Sequence, residues 1–355
     1  SSQLVGLNLA KQTIPHGLTV AMTGAGKGIE KVTTIAETYP LGLDWYIAEI
    51  GGSYQWVVEA FGGHYSHADT DTVINPLPTY DLINHRPDQM PLDTQLASST
   101  IQALAFLLTD GQIALDVHSN AAAQMVLQML YAAPLHKKAA SITAPTLEAF
   151  YNELAKATYF ENDEQATAAK IMKANLHSFL MTSEGQMFTR QDNLTLSKGI
   201  CGVDLKAIHQ VSEKLLKFYL VFLSLRFGHL AFYAARNPAR ILLDEMHVFV
   251  KAAPDVIGPL CSAITRMGRK DNAALDLVTQ GITEIDAIEN EVINSMPNRT
   301  LLYRADEWDA IAERINMPAG ALDTWRQYPY FEGLDYRPAM RSVGDQDYDL
   351  YLTFP

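Results

Sequence analysis

The chain has 355 residues, of which 48% are hydrophobic and 19% are charged. It can therefore bury a large core, and the composition excludes a disordered chain, a collagen-like rod and a coiled-coil rod. A chain of this length is expected to form two domains, or one large α/β domain with an insertion. The formal net charge of −13 argues against a protein whose whole surface binds nucleic acid, although it allows a local basic patch.

Two cysteines, Cys201 and Cys261, are too few for a disulfide framework or a zinc site. We expect both to be reduced core residues of a cytosolic protein. The first residues lack the basic start and the apolar run of a signal peptide. The most apolar stretch, residues 215–235, is interrupted by basic side chains such as Lys217 and Arg226, so it predicts a buried helix rather than a membrane span.

Strands and helices alternate over the first 75 residues. The pattern predicts a strand at 18–22, a helix that ends near residue 38, a strand at 45–50, a helix at 54–61 and a strand at 65–68. Such alternation is typical of a parallel sheet whose strands are joined by right-handed crossovers.

The amino-acid composition changes between residues 91 and 182, which are rich in Ala, Leu, Met and Gln and contain few glycines. Helical periodicity there predicts helices at 94–108, 120–130, 146–157 and 164–180. We therefore predict an inserted all-helical subdomain at 91–182. Residues 1–90 and 183–355 would together form the α/β domain.

The α/β pattern resumes after the insertion. It predicts strands at 199–205, 240–245, 273–279 and 299–303, helices at 209–235, 256–267 and 307–315, and a β-hairpin at 336–354. The predicted fold class is therefore α/β, with a mainly parallel sheet and an inserted all-helical subdomain.

A glycine-rich turn, Ala21-Met-Thr-Gly-Ala-Gly-Lys-Gly28, separates the first predicted strand from the first helix. At such a place, backbone N–H groups and the helix N-terminus can surround phosphates, while the lysine reaches the β- and γ-oxygens. The alternative is an ordinary glycine-rich turn between a strand and a helix. The candidate nucleotide-binding residues are Thr23, Gly24, Ala25, Gly26, Lys27, Gly28 and Ile29.

The turn departs from the usual phosphate-loop pattern at two positions. Ala21 stands in place of the first glycine, which is tolerable where its φ is negative. Gly28 replaces the Ser or Thr whose hydroxyl would bind Mg²⁺, and the nearby hydroxyls of Thr23, Thr33 and Thr34 are not in its register. We therefore expect weaker positioning of Mg²⁺ and slow or conditional hydrolysis.

Two adjacent carboxylates, Asp244 and Glu245, end the apolar strand at 240–245. In a nucleotide-hydrolysing site, Asp244 would hold the Mg²⁺ shell through water, and Glu245 would orient or deprotonate the attacking water. The alternative is a solvated acidic pair at a strand end. Together with Lys27, the pair predicts a site for ATP and Mg²⁺.

Further polar residues surround the next predicted strand. Gln280 ends this strand, where its amide could sense the γ-phosphate or position water, or simply cap the strand. Arg266 and Arg269 belong to a compact basic cluster just before it. One of them could act as an arginine finger on a neighbouring subunit's nucleotide, and the alternative is a cationic helix C-terminus.

With these residues in place, the whole chain resembles the C-terminal ATPase domain of the type IV secretion and conjugal-transfer ATPases. Glu49 is a departure, because the family prefers Asp there. The resemblance implies a RecA-like P-loop NTPase fold with an inserted helical subdomain. It rests on an ordered set of segments, namely residues 18–27, 47–54, 59–63, 74–76, 185–188, 193–197, 242–245, 268–270 and 279–280.

The resemblance also implies a function. The family hydrolyses ATP with Mg²⁺ and energises pilus assembly and substrate transfer. It implies a homo-oligomeric ring, with a hexamer as the expected form and a monomer as the alternative in isolation. The implied partners are other type IV secretion ATPases and inner-membrane components, with the chain in the cytoplasm at the face of the inner membrane.

Two other functions remain open. A DNA-translocating ATPase of the coupling-protein and FtsK type shares this architecture, but the acidic composition does not favour DNA binding. A non-hydrolysing structural subunit would use a decayed phosphate loop for assembly only.

Two histidines superficially suggest a metal cluster. His64 and His67 lie near Asp69 and Asp71, and the rest of the sequence supplies no further histidine at a convincing spacing. We therefore expect surface residues or residues with satisfied hydrogen bonds rather than metal ligands.

Overall fold

The chain divides into two compact units. The α/β unit comprises Ser1–His67, Leu196–His209 and Ala235–Pro355, and the helical unit comprises Ala68–Thr195 and Gln210–Ala234. The computed structural model describes residues 16–22, 24–77, 94–109, 115–131, 144–156, 160–196, 198–231, 237–253, 257–258, 261–262, 264–266, 268, 273–281, 286, 288, 290–302, 308–327, 337–343 and 348–353.

A nine-stranded sheet forms the centre of the α/β unit in the part of the chain that the structure describes. The strands are β1 (Gly17–Val20), β2 (Asp44–Glu49), β3 (His64–His67), β4 (Ile200–Asp204), β5 (Ala239–Leu243), β6 (Ala273–Thr279), β7 (Asn298–Leu302), β8 (Arg337–Val343) and β9 (Tyr348–Thr353). Their spatial order is β3-β4-β2-β5-β6-β1-β7-β8-β9. Strands β1 to β7 pair in parallel, and β8 pairs antiparallel with β7 and β9. The predicted α/β class with a mainly parallel sheet is confirmed.

The central strands are buried along their whole length. Every residue of β2, β5 and β6 is buried, as expected for parallel strands that are covered on both faces. Strand β6 coincides with the predicted strand at 273–279, and β5 begins one residue before the predicted strand at 240–245. The predicted C-terminal hairpin is present as β8 and β9.

Helices cover the sheet and build the second unit. In chain order they are α1 (Lys27–Thr38), α2 (Gln55–Ala60), α3 (Thr94–Leu108), α4 (Val117–Tyr131), α5 (Leu147–Leu154), α6 (Asp163–Leu180), α7 (Ser183–Gln186), α8 (Lys206–Val211), α9 (Glu213–His229), α10 (Met246–Ala252), α11 (Asn290–Asn294), α12 (Trp308–Arg314) and α13 (Ala319–Gln327). Among these described helices, none is both long and apolar enough to cross a membrane. Parts of the predicted helix at 256–267 lie outside the described residues.

Helices α1 and α2 share one apolar cluster with the sheet. Val32 and Ile35 of α1 belong to the same buried cluster as Val57 and Val58 of α2, together with Trp45 of β2. Both helices therefore pack against the sheet through this cluster.

Helix α9 is almost entirely buried. The sequence predicted one helix at 209–235, but the structure has two helices, α8 and α9, with a break at Ser212. The break has a local cause, because the Ser212 side chain accepts a hydrogen bond from the backbone N–H of Leu215 at 3.3 Å and caps a new helix. The ring of Phe222 on α9 lies 4.9 Å from that of Phe188.

The helical unit is wider than the predicted insertion at 91–182. It includes α9, which the sequence analysis assigned to the α/β domain. The Tyr219 hydroxyl of α9 donates to the backbone carbonyl of Thr72, so this helix packs with the segment that follows β3. The division into a nucleotide-binding domain at 1–90 and 183–355 and an insertion at 91–182 remains a prediction about function, and the compact units have other boundaries.

A polar cluster in the helical unit joins segments that are far apart in sequence. Asp192 accepts a hydrogen bond from the backbone N–H of Asn75 and pairs with the guanidinium of Arg226. Asn193 Oδ1 accepts the backbone N–H of Val73 at 2.6 Å. Asn75 and Asn193 both belong to segments on which the family resemblance rests, so these segments meet in the structure.

We predict that His229→Leu makes the stability of the helical unit less dependent on pH. His229 and Arg226 are both fully buried on α9. Burial, with the nearby charge of Arg226, lowers the pKa of His229 well below its usual value of 6.5. Below the usual pKa of 6.5, the histidine of the unfolded chain binds a proton that the buried His229 of the folded chain does not bind. The free energy of unfolding therefore falls as the pH falls, by about 1.4 kcal/mol per pH unit.

The measurement is urea unfolding, followed by circular dichroism, at neutral pH and about one unit below the usual histidine pKa. The free energy of unfolding should fall less in His229→Leu than in the wild type. His177→Gln changes an exposed histidine of the same unit and should keep the wild-type loss. An equal loss in all three proteins would contradict the prediction.

Candidate functional site

Three neighbouring strands bring the predicted site residues to one edge of the sheet. Strand β6 lies between β1 and β5, and its register pairs Thr279 with Val20 and Leu277 with Leu243. Because the three strands are parallel, their carboxyl ends meet at the same edge, where ligands of open α/β sheets bind. The backbone N–H of Ala21 donates to the Thr279 carbonyl at 3.0 Å, which holds the turn after β1 against β6.

Two glycines shape the turn after β1. Gly24 and Gly26 have φ angles of 80° and 93°, in the left-handed region that favours glycine. Helix α1 then begins at Lys27, and no side chain caps its N-terminus. The first backbone N–H groups of α1 can therefore face an anion.

The other predicted residues of the turn have different surroundings. Ala25 is buried in a small apolar cluster with Ala21, so it packs the turn against the core. Ile29 is largely exposed, and Gly28 is the second residue of α1. Thr23 lies outside the described residues.

The amine of Lys27 lies against both predicted carboxylates. Lys27 Nζ donates to Glu245 Oε1 and lies 3.9 Å from Asp244 Oδ1. All three side chains are largely buried. The structure thus brings the lysine of the turn to the acidic strand end, while the catalytic roles of these residues remain a prediction.

Two further side chains hold Glu245. Gln280 Nε2 donates to Glu245 Oε2 at 2.6 Å, and His247 Nδ1 lies 3.0 Å from the same oxygen. Burial acts to raise the pKa of Glu245, but His247, Lys27 and Gln280 outweigh it and lower the pKa to about 2. The carboxylate is therefore ionised at neutral pH. His247 and its contact were missed by the sequence analysis.

The backbone of Glu245 is strained. Its φ of 63° and ψ of 47° place it in the left-handed region, which is uncommon for residues with a β-carbon. Such conformations cost about 1–3 kcal/mol and cluster at functional sites. Here the conformation turns the chain from β5 into α10.

Asp244 is buried, and a donor contacts each of its oxygens. Tyr54 Oη donates to Oδ2 at 2.8 Å, and the backbone N–H of Glu245 donates to Oδ1 at 2.7 Å. Burial raises the pKa of Asp244, against the opposing effects of Lys27 and Tyr54. Burial also raises the pKa of Tyr54 well above its usual value, so its hydroxyl stays protonated and donates.

The loop between β2 and α2 places Tyr54. Glu49, the last residue of β2, accepts hydrogen bonds from the backbone N–H groups of Ser53 at 2.7 Å and Tyr54 at 2.9 Å. Asp204, the last residue of β4, accepts the N–H of Gly51 at 2.9 Å. The family resemblance rests in part on this segment, but no role of Tyr54 was predicted from the sequence. The signal available in the sequence was Glu49, a carboxylate that ends a strand shortly before two consecutive glycines.

The structure describes one of the two predicted arginines. Arg266 is exposed, in the helical stretch at 264–266, and Arg269 lies outside the described residues. Their expected action on a neighbouring subunit's nucleotide remains a prediction.

His67 of β3 makes polar contacts with Asp204 and Gln55. His67 Nδ1 lies 3.3 Å from Asp204 Oδ2, and its Nε2 lies 3.2 Å from Gln55 Oε1. Within the described residues, no group of three or more His, Cys, Asp or Glu side chains is arranged to hold a metal ion. Cys201 and Cys261 are free and buried, as predicted.

Comparison with known proteins reveals similar folds rather than similar sequences. No family model and no curated protein matches the sequence. VirB4 of Thermoanaerobacter pseudethanolicus matches 99% of this chain and 93% of its own, with a TM-score of 0.66 and 16% identity. The chain shares its fold.

The plasmid coupling protein TrwB matches as well. Its complex with ADP and Mg²⁺ matches 100% of this chain and 90% of its own, with a TM-score of 0.55 and 12% identity. Its complex with the non-hydrolysable GTP analogue GDPNP matches the same shares, with a TM-score of 0.54 and 13% identity. The resemblance to secretion and conjugation ATPases is confirmed at the level of the fold.

We predict that Tyr54→Phe lowers the free energy of unfolding by about 1–3 kcal/mol, because the buried Oδ2 of Asp244 loses its donor. The bond favours the ionised carboxylate, so the cost should grow as the pH rises through the pKa of Asp244. Urea unfolding followed by circular dichroism measures the change.

Tyr151→Phe is the matched control, because it removes an exposed hydroxyl that contacts His177. Its effect should stay within about 0.5 kcal/mol. An equally small effect of Tyr54→Phe would show that the contact with Asp244 contributes nothing.

Proposed function

We propose that this chain is an ATP-binding and hydrolysing motor subunit of a type IV secretion or conjugation system, which energises pilus assembly and substrate transfer. The observation that carries the proposal is the contact of Lys27 with Asp244 and Glu245 at the carboxyl edge of the sheet. The fold that the chain shares with VirB4 and TrwB supports it.

The residues at this edge fit a nucleotide with Mg²⁺. The uncapped N-terminus of α1 and the amine of Lys27 suit phosphate oxygens. Asp244 offers a carboxylate for the shell of Mg²⁺, a cation that prefers oxygen ligands. Bound Mg²⁺ would neutralise the charge that develops on the transferred phosphoryl group. The TrwB complex with ADP and Mg²⁺ supports this pair of ligands.

Each residue has a proposed role. Lys27 and the backbone N–H groups from Thr23 to Ile29 bind the phosphates, and Asp244 supports the metal. Glu245 activates the attacking water, and Gln280 holds Glu245 in place. The missing hydroxyl at Gly28 would make hydrolysis slow or dependent on partners, unless another residue supplies the lost ligand of Mg²⁺.

In its resting form the site has Lys27 in contact with Glu245. While Lys27 donates to Glu245 Oε1, it helps to keep the pKa of that carboxyl low, and a carboxylate of low pKa is a poor base. Phosphates that draw the amine away would free the carboxylate and raise its pKa. Nucleotide binding would therefore prepare the base for its task.

Assembly is a further part of the proposal. We infer a homo-oligomeric ring, expected to be a hexamer, in which Arg266 or Arg269 acts on the nucleotide of the neighbouring subunit. The partners would be other type IV secretion ATPases and inner-membrane components, with the chain at the cytoplasmic face of the inner membrane.

Two variants test the nucleotide site. Glu245→Gln should retain binding of ATP with Mg²⁺ and lower the rate of phosphate release by about 10²–10⁴-fold, because the base is lost. Lys27→Ala should weaken nucleotide binding itself. Calorimetry measures binding, and steady-state phosphate release measures turnover.

Lys198→Ala changes an exposed lysine of the α/β unit and should leave both quantities unchanged. Brisk turnover by the wild type with Mg²⁺ would show that the loop compensates for Gly28. Absence of nucleotide binding by the wild type would favour the non-hydrolysing structural subunit instead.

The alternative function is a DNA-translocating ATPase of the coupling-protein type, and the likeness to the plasmid coupling protein TrwB favours it specifically. A motor of this kind binds the DNA backbone with Lys and Arg, so its affinity should fall steeply as salt rises. We expect weak DNA binding by this acidic chain, measured by fluorescence anisotropy over a salt series. Tight binding with a steep salt slope would favour the alternative.

A further inference from the structure

Gly28 stands at the position where a phosphate loop carries the hydroxyl that binds Mg²⁺. A β-carbon built on Gly28 would lie 3.9 Å from the Cβ atom of Ser53. This is an ordinary van der Waals distance, so the two positions are direct neighbours although they belong to different elements. Ser53 therefore lies next to the position from which a Ser or Thr side chain of α1 would project.

The loop that carries Ser53 is held on both sides of this residue. Glu49 accepts the backbone N–H groups of Ser53 at 2.7 Å and of Tyr54 at 2.9 Å. The hydroxyl of Tyr54 in turn donates to Asp244 at 2.8 Å. Ser53 is thus a neighbour of Gly28 in space and of Tyr54 in sequence, on a backbone that these hydrogen bonds hold.

The hydroxyls of Thr33 and Thr34 on α1 are less suited, and Thr23 lies outside the described residues. Thr34 is buried and donates to the Glu30 carbonyl at 3.0 Å, and Thr33 lies five residues further along α1 than Gly28. Ser53 is exposed, so its hydroxyl can turn toward a ligand. A hydroxyl oxygen is one of the hard ligands that Mg²⁺ accepts.

We propose that the hydroxyl of Ser53 replaces the one missing at Gly28 and serves as a ligand of Mg²⁺ in the nucleotide complex. The assignment rests on the proposed function, because it concerns the metal of the same site. The Mg²⁺ ligand that a phosphate loop usually supplies from the start of its helix would here come from the loop between β2 and α2. The metal would then be held by Ser53 and Asp244, which follow strands β2 and β5.

The test compares the affinity for ADP, measured by calorimetry, with Mg²⁺ and with EDTA. The ratio of the two affinities reports how much the metal contributes to binding, without any turnover. Ser53→Ala should lower this ratio about tenfold, the lower end of the range for lost support of a metal site. Thr33→Ala, which removes an exposed hydroxyl from α1, is the matched control and should keep the wild-type ratio.

The double variant Gly28→Ser with Ser53→Ala returns a hydroxyl to its usual place, where the structure leaves room for a β-carbon. It should restore the wild-type ratio. Circular dichroism checks that each variant is folded.

The outcomes separate this assignment from the proposed function. If the wild type binds ADP more tightly with Mg²⁺ but Ser53→Ala keeps the same ratio, the assignment is wrong and the nucleotide site stands. A loss in Ser53→Ala that the double variant fails to restore would also overturn it, since the loop rather than the hydroxyl would be responsible. If the wild type does not bind ADP at all, the proposed function fails.

Discussion

The position of β6 between β1 and β5 is the constraint on which the rest of the site depends. In a parallel sheet the carboxyl ends of neighbouring strands meet, so the turn that starts α1 and the acidic end of β5 flank the end of β6. Lys27 then reaches Glu245, although 218 positions separate them in sequence. Gln280 at the end of β6 donates to the same carboxylate.

Burial and neighbouring side chains shift the pKa values of the two adjacent carboxyl groups in opposite directions. Asp244 is enclosed, so burial raises its pKa, and the Tyr54 hydroxyl supports its ionised form. For Glu245, contacts with His247, Lys27 and Gln280 outweigh burial and lower the pKa. Two carboxylates that are adjacent in sequence thus have different environments and opposite pKa shifts.

The loop between β2 and α2 connects these features. Because β2 pairs with β5, the residues after Glu49 lie beside Asp244. Glu49 accepts the backbone N–H groups of Ser53 and Tyr54, which fixes the backbone of this loop. The longer side chain at position 49, where the resembled family prefers Asp, still reaches both N–H groups.

Most elements could be predicted from the sequence, because periodicity and turn chemistry are local properties. The glycine turn before Lys27 and the acidic end of β5 were found in this way, and α3 has the predicted bounds. The place of helix α9 in the helical compact unit could not be predicted, since a helix that is apolar on all sides has no polar face to indicate its neighbours.

The sequence by itself determined the kinds of element, the lysine turn and the acidic pair. Only the tertiary structure decided that Tyr54 contacts Asp244, that His247 contacts Glu245 and that Ser53 lies beside Gly28. These contacts follow from which strands are neighbours in the sheet, and strand order depends on packing between distant residues rather than on any local pattern.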